Sequence, residues 1–118
     1  MEIRTEFMLN YVLMKKAGNK KRIQITFWKR FLRLTRGRIP VLQAIKTIMN
    51  EENNPSFKKT LSSVRESIEK GSSLSEILVK YPPFFSPFVV ELIKSAEKTG
   101  SWDEILQEII DGLEDGIF

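Results

Sequence analysis

The chain has 118 residues, 42% of them hydrophobic and 29% charged, which suits a single soluble-type globular domain with a core. It contains neither Cys nor His. That excludes disulfides, Cys/His zinc sites, thiol nucleophiles and imidazole acid–base chemistry together. The formal charge of +4 conceals a division: residues 1–38 hold eleven Lys/Arg against two Glu, whereas residues 39–118 hold eight against thirteen acids. Between Lys15 and Arg38 there are ten basic residues and no acid. No apolar run is long enough to span a bilayer, and the start lacks the pattern of a signal peptide.

In chain order, residues 1–25 admit two readings. One is a short helix from Glu6 to Lys16, capped by Thr5, carrying Phe7, Met8, Tyr11, Val12 and Met14, and ended by Ala17-Gly18-Asn19. The other is a poorly ordered leader. From Thr26 the periodicity predicts a helix with Phe27, Trp28, Phe31, Leu32 and Leu34 on one face and Lys29, Arg30, Arg33 and Arg36 largely opposite. Gly37 is expected to stop it and Pro40 to open a second helix lined by Val41, Leu42, Ala44, Ile45, Ile48 and Met49. Asn54-Pro55 starts a third, with Phe57, Leu61, Val64 and Ile68, closed by Gly71.

Ser73 and Glu76 form a capping box for a short fourth helix holding Leu74, Ile77 and Leu78. Ser86-Pro87 opens a fifth helix that runs to about Lys98, and Gly100 suits the left-handed residue that ends it. Ser101 with Glu104 reads as a second capping box, starting a sixth helix from Trp102 to about Asp115 with Ile105, Leu106, Ile109, Ile110 and Leu113 inward. No strand alternation or hairpin turn intervenes. The expected fold is all-α, a compact antiparallel six-helix bundle over residues 26–115, with 116–118 as a tail.

Three blocks together resemble one family: Ile39-Pro40-Val41-Leu42-Gln43-Ala44-Ile45, then Gly71-Ser72-Ser73-Leu74-Ser75, then Pro83 through Asp103 with Glu97-Lys98-Thr99-Gly100. They are similar to the Gly-Ile-Pro-Leu turn, the Gly-x-Ser-Leu-Ser segment and the Gly-Glu-x-x-Gly-x-Leu-Asp hinge of the cytoplasmic domain of the GspF/PilC family, the inner-membrane platform proteins of type II secretion and type IV pilus machines. The similarity covers roughly Thr26 to Glu114. Arg38 stands where the family has the turn Gly, Ala96 replaces the hinge Gly, and Trp102 the usual Leu. The resemblance implies a non-enzymatic adaptor on the cytoplasmic face of the bacterial inner membrane. Its partners would be the assembly or secretion ATPase and other platform components. This domain would be the first of two copies in a membrane-embedded parent.

Candidate partner contacts are the basic Lys29, Arg30, Arg33 and Arg36 and the acidic Glu104, Glu108 and Asp111, whose opposite signs also suggest self-association as a homodimer. The basic stretch also suits anionic lipid headgroups. A rival reading is a small helical regulator binding nucleic acid through the basic arm, although Phe27, Trp28 and Phe31 at helical spacing suit a core better than base stacking. Glu97 and Asp103 are weak candidates for a Ca²⁺-type site, since hard cations take oxygen ligands, but no aspartate-rich loop accompanies them. The serines lack a histidine partner and a nucleophile elbow, and no phosphate-binding loop is present. No catalytic residue and no cofactor are expected.

Overall fold

In a computed structural model, which describes the backbone of residues 2–118 and the side chains of residues 19–118, the first element is one long helix, α1 (Glu2–Arg36). The break expected at Ala17-Gly18-Asn19 does not occur. A single interior Gly costs a helix only about 1 kcal/mol, and no Pro lies between residues 2 and 36 to interrupt the hydrogen-bond ladder. The apolar contacts expected of Phe7, Met8, Tyr11, Val12 and Met14, and the Thr5 cap, lie outside the described side chains.

Five helices follow: α2 (Val41–Glu51), α3 (Pro55–Glu69), α4 (Leu74–Leu78), α5 (Pro87–Thr99) and α6 (Trp102–Glu114). The described residues contain no strand, so the all-α bundle is observed as expected. Each helix packs on its chain neighbour, and α6 returns against α1, so the elements close into a ring. Phe27, Trp28 and Phe31 of α1 lie at its centre, each about 1% exposed or less. Phe57 of α3 and Phe85 of the α4–α5 connection pack edge-on against Phe27 at ring-centroid distances of 5.6 and 5.7 Å. Edge-to-face geometry at this range suits the aromatic quadrupole and adds to the burial energy of each ring.

Local sequence sets most of the helix ends. The Asn54 side chain accepts from the Phe57 N–H, Ser86 accepts from the Val89 N–H, and the Ser73–Glu76 box is reciprocal. The second predicted box fails. Ser101 adopts ψ 54 where Ser73 and Ser86 have 160 and 155, so its hydroxyl makes no cap bond. Its N–H donates instead to Thr99 Oγ1 at 3.2 Å, holding the α5–α6 turn tight. Glu104 is left exposed on the outside of α6.

The stop of α1 also differs from expectation. Ile39 N–H reaches Leu34 O at 3.1 Å and Arg38 N–H reaches Thr35 O at 3.0 Å. These two bonds make a Schellman motif whose left-handed residue is Arg38, φ 64, and not Gly37. The same motif ends α3 at Gly71 and α6 at Gly116, with φ of 102 and 74, where glycine relieves the Cβ clash. Arg38 is the non-Gly residue in this conformation among those described.

Replacing Arg38→Gly is therefore expected to stabilise the domain by about 0.5–1 kcal/mol, the left-handed penalty less the extra freedom of an unfolded glycine. Arg38→Val is expected to destabilise it. Urea unfolding followed by circular dichroism checks both, as midpoint shifts at constant slope.

Candidate functional site

The basic and acidic halves of the sequence meet along the seam between α1 and α6. Lys29 Nζ lies 3.0 Å from Glu114 and Arg36 Nε lies 3.9 Å from Asp103, as expected of two helices running antiparallel. Asp103 and Glu104 sit in the first turn of α6, where negative charge offsets the helix dipole. The last turn of α6 carries no base of its own. Lys29 and Lys21 of α1 supply positive charge there, Lys21 Nζ lying close to Gly116. All these groups are substantially exposed, so each pair stabilises by only about 0–1 kcal/mol.

The candidate contact residues fall into three places. Lys29, Arg33 and Arg36 line an open groove of about 560 Å³ between α1 and α6, facing Asp111 and Glu114 across a floor that includes Leu32 and Ile110. Arg30 lies elsewhere, beside Arg22, Glu51 and Glu52, in a smaller recess against the end of α2. The four basic candidates therefore do not form one patch. Glu104, Glu108 and Asp111 line a further groove of about 440 Å³ with Phe88, Ile117 and Phe118. Asp111 belongs to both grooves and marks the crest between them.

Glu97 is occupied within the fold. Both of its carboxylate oxygens are engaged by Ser75: one accepts from the backbone N–H at 3.1 Å, the other from the hydroxyl. Ser75 is the second residue of α4, so the last turn of α5 caps α4 with a carboxylate from a distance of 22 positions. Asp103 lies away from it, against Arg36. Among the described residues no three acidic side chains gather closely enough to hold a metal ion. Ser75 had no signal as a structural partner in the sequence, because its bond with Glu97 is tertiary. Phe88 and Phe118 were equally hidden, one inside an apolar run and one in the tail.

Phe27, Trp28 and Phe31 are in the core, so they offer no platform for stacking bases. A sequence profile described as "Type II secretion system (T2SS), protein F" matches residues 27–117, the whole closed ring of helices apart from the first part of α1. The chain belongs to that family.

Among proteins similar to it, the type IV pilus assembly protein PilC of Myxococcus xanthus is 28% identical over 85 residues, covering 72% of this chain and 20% of that protein. The PilC of Thermus thermophilus is 33% identical over 76 residues, 64% of this chain and 18% of the relative. The type II secretion system protein F of Vibrio cholerae is 24% identical over 78 residues, 66% and 19% respectively. The chain thus spans about a fifth of the length of these relatives. No helix among the described residues is long and apolar enough to cross a membrane.

The two candidates for a cation site separate in their expected energetics. Glu97→Ala removes the acceptor of a half-buried pair of bonds and is expected to cost about 1–3 kcal/mol, whereas Asp103→Ala at an exposed 3.9 Å pair is expected to stay within about 0.5 kcal/mol of the parent. Thermal and urea unfolding of the two variants, side by side, checks the ranking.

Proposed function

We propose that the chain is a non-enzymatic adaptor domain of an inner-membrane platform protein of a type II secretion or type IV pilus machine. In this reading it lies on the cytoplasmic face and couples the assembly ATPase to growth of the pilus or pseudopilus by protein contacts alone. Residues 26–115 form the working unit. The observation that carries the reading is the family match across residues 27–117, which spans the complete ring of packed helices and not one local motif.

The physics of the fold supports a mechanical part. Six short-looped helices around one aromatic cluster make a body that passes on a displacement as a unit, because close-packed cores deform little. The seam between α1 and α6 supplies exposed charge of both signs within one groove, and such a surface selects a partner of matching pattern more than it adds affinity.

Charge reversal at Arg33, which lines the groove, is expected to weaken capture of the cognate assembly ATPase about tenfold without changing the melting temperature. The same reversal at Arg30 tests the recess by α2 separately. Deleting residues 26–115 from the gene is expected to abolish pilus assembly or secretion, and the isolated chain is expected to turn over no ATP. Normal assembly after that deletion, or ATP turnover by the chain alone, would overturn the adaptor reading.

A further inference from the structure

A second surface of the domain combines exposed apolar side chains with unpaired charge of a single sign. Phe88, in the first turn of α5, is 58% exposed and Ile117 is 74% exposed, two of the few large hydrophobic side chains left in water among the described residues. They stand at one end of the bundle, because α5 begins where α6 finishes. The Phe118 ring packs on Phe88 at 4.8 Å between centroids and lies directly over Gly112, where a Cβ would overlap it. Gly112 thereby lets an aromatic ring form the floor of the groove. The Schellman bonds of Gly116 and Ile117 turn the chain back to place it there.

The rim is acidic. Glu104, Glu108, Asp111 and Asp115 recur at intervals of four, three and four along the outer face of α6 and border this groove. Among the described residues none of the four forms an ion pair; Asp111 accepts from Gln107 at 2.9 Å. The acids that do pair with α1, Asp103 and Glu114, lie toward the seam. On α1, Lys29 and Arg36 pair across the seam, and of the four acids Asp111 alone also borders the groove that holds those cations.

We propose that this groove receives a cationic amphipathic helix of a partner protein. The stripe is straight and about 16 Å long, at 1.5 Å per residue. A helix laid nearly parallel to α6 repeats that rise, so Lys or Arg at the same intervals meets the acids one by one. Its apolar face then covers Phe88, Ile117 and Phe118, in the manner of a helix seated in a groove. An extended strand, rising more than twice as fast per residue, falls out of step with the stripe. The inference rests on the adaptor reading and deepens it by naming the chemistry of the partner.

The test uses the full 118-residue chain and a stapled helical peptide with Leu on one face and Lys at intervals of four, three and four, followed by fluorescence anisotropy at physiological salt. The control peptide carries Glu in place of Lys. Binding of the Lys peptide is expected, with Glu108→Lys/Asp111→Lys weakening it at least tenfold and Phe88→Ala several-fold, both variants keeping the parent circular dichroism and melting temperature. Amide shifts in NMR spectra are expected around Phe88, Glu108 and Ile117. Equal binding of the two peptides, or no loss in the variants, would overturn the proposal. So would the same shifts on raising the protein concentration without peptide, since a second copy would then be the occupant. Failed peptide binding with ATPase capture intact removes the groove alone; lost capture with peptide binding intact removes the adaptor reading alone.

Discussion

The rest of the domain depends on water being excluded from one aromatic stripe of α1. Phe27, Trp28 and Phe31 take their places within little more than a turn of helix, and rings from α3, the α4–α5 connection and α6 close over them. The short α4 and the irregular residues that follow it have too few hydrogen bonds to persist alone. They are ordered because Leu78 is buried in the core and Phe85 packs against the Phe27 and Trp28 rings. Burial of rings sets the architecture, and the surface charges adjust it afterward.

Those charges are distributed with a logic that only the folded arrangement reveals. The basic first third and acidic last quarter of the sequence are distant along the chain, yet α1 and α6 are immediate neighbours. Asp103 and Glu114 of α6 pair with α1, whereas Glu104, Glu108, Asp111 and Asp115 form no ion pair among the described residues. A net charge of +4 therefore coexists with a surface that is polarised into basic and acidic parts, the condition for selecting partners by pattern.

Elements governed by neighbouring residues were legible from the sequence. The caps at Asn54, Ser73 and Ser86 form as their spacing predicts, because donor and acceptor lie within one turn. Where two local preferences compete, legibility falls: Thr99 takes the Ser101 N–H and the expected second capping box is lost. The Ala17-Gly18-Asn19 signal was outweighed because nothing there forbids a helix; it only disfavours one. At Arg38 the backbone geometry of the turn prevailed over side-chain preference, so the Schellman motif forms with Arg in the left-handed position. The candidate site was legible as a list of charged residues but not as a grouping. The angular position of Arg30 against Arg33, the clamp of Glu97 on Ser75 and the ring of Phe118 over Gly112 are set by packing between segments far apart in sequence.

The closure of α6 onto α1 also has a consequence for synthesis. Phe31 meets Trp102, so the ribosome must add about 70 residues, at roughly 5–20 per second, between making the first ring and making its cover. For several seconds the nascent chain presents its most apolar stripe with the final layer still missing. The intervening helices can assemble locally in the meantime, since each contacts the next, but the ring of elements stays open. Such a chain is a natural client for a chaperone at the tunnel exit. A truncation before Trp102 would leave this stripe without the layer that α6 supplies, an aggregation-prone product and not merely a shorter domain.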